Sequence, residues 1–194
     1  RTVDDTPAGG GAVTGSKTGG GAGGSRGLQV GGSAAFAGGW KIEAGVFRAL
    51  SASRADIFTF LDQITPDSEL QVRDWTGFRI PMHAVPSGQV VLAFDDELAA
   101  TVTSSPMHAF TDHTIVDGRA LRARLASVRE HGYALAVDEY AEGLSSAAAP
   151  VRNSAGRVVA ALHVYGLPSA IPGERDPDAL GRLVCDVATR LRVD

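Results

Sequence analysis

Apolar positions change their spacing several times along this chain, and each change predicts an element. Residues 55–62 (ADIFTFLD) and 68–75 (SELQVRDW) are short β-rich runs separated by Thr65, Pro66 and Asp67. Proline presets a turn φ and aspartate bonds its own backbone, so the pattern predicts two antiparallel strands. Gly77 and Pro81 then break the chain before an apolar helix over residues 87–94. Asp95 can cap a second short helix through Ala99 and Ala100. In residues 117–131 Leu121, Leu125 and Val128 recur at helical spacing, while Arg119, Arg122, Arg124 and Arg129 lie mainly off that stripe, and Gly132 ends the helix.

Residues 146–152 and 157–165 read as a hairpin joined by Asn153, Ser154, Ala155 and Gly156. Strand side chains alternate, so Val158, Ala160, Leu162 and Val164 share one face and Val159, Ala161, His163 and Tyr165 the other. A last helix starts with Asp176 as cap and Pro177 in its first turn, with Leu180, Leu183, Val184, Val187 and Leu191 on its buried face. Strands, helices, strands and a helix follow one another without a repeated βαβ unit. The expected class is α+β with a mainly antiparallel sheet.

Composition divides the chain in two. Residues 1–39 hold 14 of the 24 glycines and a single aromatic, Phe36. Such a segment has too little apolar surface to offset its ordering entropy, so disorder is expected there and a core-forming domain over residues 40–194. A phosphate-cradling reading of the glycines fails because no strand precedes them and no GK[ST] ending follows. The net charge of −4 and pI near 5.7 argue against a surface built for phosphate backbones. No apolar run has the roughly 18 residues needed to cross a bilayer, and the start lacks the features of a secretory signal. One cysteine, Cys185, suits a reducing compartment, and the chain is expected to be cytoplasmic.

Single residues that suggest chemistry have plainer readings. His83, in Pro-Met-His-Ala ahead of a helix, reads as a hydrogen-bonded structural histidine. His108 and His113 with Asp112 are too loosely spaced for a zinc site, so neither metal nor cofactor is expected. Cys185 neighbours the stripe of the last helix and reads as packing. The four arginines of the 117–131 helix read as a solvated face.

Four stretches, in this order and spacing, resemble the effector-binding domain of bacterial transcription regulators of the isocitrate lyase regulator (IclR) family. They are Pro81-Met82-His83-Ala84 with Ser87-Gly88 and Val90-Val91-Leu92-Ala93; Thr111-x-x-Thr114-Ile115-x-Asp117; Val128-Arg129-x-x-Gly132-Tyr133-Ala134 with Asp138-Glu139 and Gly143-Leu144; and Ala148-Ala149-Pro150-Val151 with Val158 to Leu162 and Gly166. The resemblance covers residues 55–192. It implies a GAF-like fold, a curved antiparallel sheet flanked by helices with a small-molecule pocket on one side, and it places the family's first strand within residues 44–51. Family members carry a winged helix-turn-helix ahead of this region. Here that space is Gly-rich and cannot form a recognition helix, so DNA binding is expected only through a domain this chain lacks.

The resemblance carries the effector pocket onto Pro86, Ser87, Ala136, Ser146, His163 and Tyr165. Gly88 joins them because the helix start after Val85 and Pro86 offers free amides to an anion, with Gly88 letting a ligand approach the backbone and Ser87 adding a hydroxyl. Relatives that bind glyoxylate have an aspartate at Ala136, a cysteine at Ser146, and serines at His163 and Tyr165. The pocket so loses a charge and gains two rings, which favours an aromatic or bulkier acid over a two-carbon one, with a protonated His163 as a source of positive charge. The expected function is a ligand-sensing, oligomerising module of a transcription regulator, as dimer or tetramer, with a small organic acid as effector. Two alternatives stand beside it: a truncated remnant that regulates nothing, and a hydrolase using Ser146, His163 and Asp138. The last lacks a Gly-x-Ser-x-Gly elbow or an oxyanion motif.

Overall fold

The computed structural model describes residues 79–191 in full and, as backbone strands, residues 35–36, 40–41, 44–48 and 57–63. The expected strand over 68–75 and residues 1–34 of the Gly-rich segment lie outside the described residues. Within that segment, strand β1 (Ala35–Phe36) pairs with β2 (Trp40–Lys41). A six-stranded sheet follows, built from β3 (Ala44–Arg48), β4 (Ile57–Gln63), β5 (Arg79–Pro81), β6 (Ala134–Val137), β7 (Ser145–Arg152) and β8 (Val158–Gly166). Its order is β5-β4-β3-β8-β7-β6 and every pairing is antiparallel. Strand β3 stands where the resemblance put the family's first strand.

Helices cover both faces. On one lie a 3₁₀ turn (Met82–Ala84), α1 (Pro86–Ala93), α2 (Asp96–Ser104) and α3 (Gly118–His131); on the other lies α4 (Pro177–Ala188). All eight residues of α1 are buried, which suits a helix apolar on nearly every side. It can lie this deep because the strands beneath it present small side chains: Ala134, Ala148 and Ala161 share its core with Leu121, Leu125 and Val128 of α3. The opposite face carries larger aliphatics, Val151, Leu162 and Val164, packed on Leu180 and Val184 of α4. The alternation read from β8 is the alternation between these two cores.

Side chains fix the ends of the elements. Asp95, Asp117 and Asp176 each accept a backbone N–H in the first turn of α2, α3 and α4, the ordinary relief of unsatisfied donors at a helix start. Gly132 ends α3 at φ 85, a left-handed position that costs glycine little. In the β7–β8 turn, Asn153 Oδ1 accepts from the amides of Ala155 and Arg157. Pro150 sits within β7 without breaking the ladder to β6, because β6 pairs only as far as Ala148.

Several boundaries differ from expectation. Pro81 closes strand β5 instead of breaking the chain, and α1 starts one residue early because Pro86, with no N–H to lose, suits its first position. Helix α2 continues to Ser104. Strand β6 was not anticipated. Three of the four arginines are exposed as expected and Arg124 is not. Arg129 bonds the Ala93 carbonyl at the end of α1 and pairs with Asp96, and Arg124 turns inward. Leu125 is 2% exposed in the centre of the α1–α3 core. Leu125→Ala is expected to cost about 2–5 kcal/mol in chemical denaturation, while Arg122→Ala on the exposed face should stay within about 0.5 kcal/mol.

Candidate functional site

Register brings the site together. Ala136 on β6 pairs with Ser146 on β7, which pairs with Tyr165 on β8. The next row on the same face is Ala134, Ala148 and His163, continued by Gly45 on β3. Opposed residues in an antiparallel ladder point to the same side, so the Ser146 hydroxyl and two rings emerge together under the start of α1. The His163 and Tyr165 rings stand edge to face, centroids 5.7 Å apart.

Above these rows lies a cavity partly open to solvent, lined by Ile80, Ala84, Val85, Pro86, Ala136, Glu139, Tyr140, Leu144, Ser146, His163 and Tyr165. Of the seven residues expected at the pocket, Pro86, Ala136, Ser146, His163 and Tyr165 line it. Ser87 and Gly88 do not. Ser87 is fully buried one step behind Pro86, its hydroxyl without a hydrogen bond. Gly88 has a packing reason instead of a ligand one: a Cβ there would overlap the Met82 backbone of the 3₁₀ turn.

The polar wall holds a residue that alternation hides. Along β6, Ala134 and Ala136 point inward and Val137 outward, which would turn the residue at 139 out as well. Asp138 interrupts this with φ 58, a left-handed conformation that aspartate tolerates better than most residues. Its carboxylate accepts from the Gly143 amide at 2.6 Å. The turn is tied from outside by Thr111 Oγ1 donating to the Asp138 carbonyl and Thr114 Oγ1 donating to the Glu139 carbonyl, which is the physical content of the Thr-x-x-Thr motif. Glu139 is thereby buried in the cavity wall at 5% exposure.

Its carboxylate is compensated. Arg124 Nη1 lies 2.9 Å from Oε1 and Gln89 Nε2 donates to Oε2 at 2.8 Å. Gln89 also donates to the His83 carbonyl and accepts from Arg124. Burial pushes the Glu139 carboxyl above its usual range, and Arg124 pulls it back. His83 bonds the His108 carbonyl through Nε2 at 3.0 Å, a structural role away from the cavity. Cys185 donates to the Gly132 carbonyl. Of the Ser146, His163 and Asp138 set of a hydrolase, Asp138 is not among the lining residues, and its carboxylate accepts from the Gly143 amide.

His163 cannot supply the positive charge expected of it. Burial lowers its imidazole from an ordinary 6.5 to about 3, so it stands neutral in the wall near neutral pH. Among the described lining residues Glu139 is the one formal charge, and it is negative.

The sequence pattern described as "Bacterial transcriptional regulator IclR C-terminal" matches residues 43–192. The chain is 38% identical over 97 residues to the HTH-type transcriptional regulator XynR of Escherichia coli K12, covering 49% of this chain and 38% of XynR. It is 32% identical over 117 residues to the probable transcriptional regulator SauR of Cupriavidus necator, covering 59% and 46%. The chain thus spans less than half the length of these relatives. An IclR-type regulator from Alicyclobacillus acidocaldarius superposes at TM-score 0.67 with 26% identity over 77% of this chain and 59% of that one. A homologue from Microbacterium hydrocarbonoxydans, solved with 4-hydroxybenzoate, shares the fold at TM-score 0.66 and 23% identity over 77% and 58%. These matches are to transcription regulators and not to enzymes, and no helix among the described residues is long and apolar enough to cross a membrane.

The neutral His163 has a measurable consequence. Between pH 6.5 and about 3 the unfolded chain binds a proton at this residue and the folded one does not, so stability is full above 6.5 and falls with acid. At pH 4.5 the loss is about 2–3 kcal/mol, at 1.4 kcal/mol for each pKa unit. The melting temperature of the parent should drop more steeply from pH 7 to 4.5 than that of His163→Phe. Parallel curves would show that His163 titrates normally.

Proposed function

The chain belongs to the IclR family of bacterial transcriptional regulators, and from that premise we propose that residues 40–194 are the effector-binding module of such a regulator. The observation that carries this reading is the cavity under α1, apolar in its walls but crossed by a few convergent polar side chains, the usual make-up of a small-molecule site. Its effector is a small organic acid, aromatic in preference to a two-carbon one, because His163 and Tyr165 offer ring faces and Ala136 leaves room beside them. The binding set is Pro86, Ala136, Ser146, His163 and Tyr165. The start of α1 contributes from behind Pro86, where the Ser87 and Gly88 amides precede the first intrahelical bonds.

The regulator acts in the cytoplasm as a homodimer or tetramer, with DNA contacted through a helix-turn-helix part of the kind named in its relatives. Effector binding changes that assembly only to the extent that the acid binds one arrangement more tightly than another. The Microbacterium homologue, which shares this fold, was solved with 4-hydroxybenzoate, an acid of that class.

Calorimetric titration with benzoate and hydroxybenzoates tests the assignment. Tyr165→Leu removes a ring and a hydroxyl from the wall and should weaken aromatic-acid binding about tenfold while the far-UV spectrum stays that of the parent. Binding equal to the parent's would place the site elsewhere.

A further inference from the structure

Glu139 is held in the cavity wall by an arrangement that a purely structural ion pair does not need. An Arg–Glu pair that only joined α3 to the sheet would be served by a carboxylate facing away from the space. Here Glu139 is 5% exposed and lines the cavity, while Arg124, whose side chain is 31% exposed, is not among the lining residues. The negative member of the pair borders the ligand space and the positive member stands behind it.

Two side-chain donors account for part of that carboxylate. Oε1 accepts from Arg124 and Oε2 from Gln89. Both partners are donors, and the Arg124 cation beside Oε1 favours the charged form, which accepts hydrogen bonds. A carboxylate has about four lone-pair sites, which leaves acceptor capacity on an atom group already withdrawn from water. A water molecule or a ligand donor in the cavity can use it; a ligand carbon there cannot. The described lining residues include no lysine or arginine, and His163 is neutral. A ligand carboxylate placed beside Glu139 would therefore meet a like charge with no cation of the described wall between them.

We propose that Glu139 determines the specificity of this cavity and that its effector carries a hydrogen-bond donor, a hydroxyl or an amino group, in addition to its carboxylate. This rests on the reading of the cavity as an organic-acid site. The donor meets Glu139, and the carboxylate is directed away from it. Glu139 selects in two ways: it repels an acid bound the wrong way round, and it penalises an analogue that lacks the donor, because a buried charged acceptor is then left short of a partner.

The test is a calorimetric comparison of benzoate, 3-hydroxybenzoate, 4-hydroxybenzoate and 4-methoxybenzoate on the chain as it stands. At least one hydroxybenzoate should bind about tenfold or more tightly than both benzoate and the methoxy acid, which keeps the oxygen but loses the donor. In Glu139→Gln, checked for folding by its melting curve, that ratio should fall below about threefold, because the charge that strengthens the bond is gone. Equal binding of the four acids by the parent, or an undiminished ratio in the variant, overturns the proposal and leaves the acid site standing. No binding of any of the four overturns the acid reading and this proposal together. Should the variant not fold, the four acids on the parent still decide, since a benzoate as tight as the hydroxy acids refutes the role of Glu139.

Discussion

The Arg124–Glu139 pair, bridged by Gln89, is the constraint on which the cavity depends. A carboxylate buried against apolar side chains is costly unless its charge is met and its oxygens are bonded. Here the compensation comes from three elements at once: the guanidinium from α3, the amide from α1, and the His83 carbonyl that fixes the amide. Arg124 also donates to the Leu135 carbonyl at 2.7 Å. That carbonyl lies on β6, the last strand in the sheet order, so the same side chain occupies part of an edge that would otherwise be open to pairing. Withdrawing either charge would leave the other without compensation, and it would loosen α1, α3 and the β6–β7 turn together.

The place of the cavity follows from the unequal faces of the sheet. On the α4 side Val151, Leu162 and Val164 pack against Leu180 and Val184. On the α1 side alanines let the helix descend, and Gly88 lets it close on the backbone of the 3₁₀ turn. Where the alanine rows give way to Ser146, His163 and Tyr165, the helix has reached its first turn and no longer covers them. Space remains because alanine cannot fill what the helix end leaves open, and the residues at its margin are those able to bond.

The hairpin, two of the three aspartate caps and the two faces of β8 were legible in the sequence, because each depends on a local rule or a strict period, while the five lining residues came from the family resemblance. What escaped was set by tertiary contact. Glu139 reads as outward on any alternating pattern, and only the left-handed Asp138, tied by Thr111 and Thr114 from a distant loop, turns it in. The Thr-x-x-Thr spacing was visible and its carbonyl partners were not. Arg124 lies off the apolar stripe like its neighbours and is set apart by what stands opposite it. Gly88 was read for a ligand because the 3₁₀ turn that crowds it has no sequence signature of its own. The titration of His163 could not be read from alternation, which supplies a face but not the depth of burial.

The electrostatics of the wall bear on which acids such a site can hold. A two-carbon acid is almost wholly charged surface, and withdrawing it from water must be offset by charged or multiple polar contacts. The described wall offers no cation. It offers neutral polar groups, the hydroxyls of Ser146 and Tyr165 among them, and a carboxylate that repels. An aromatic acid brings the same single charge with a ring whose burial contributes about 25 cal/mol for each Å² removed from water, against side chains that are mostly apolar or aromatic. For such a ligand the apolar term carries affinity, while the few polar contacts fix orientation. On the proposed reading, the rings of His163 and Tyr165 beside the small Ala136 favour burial over ion pairing.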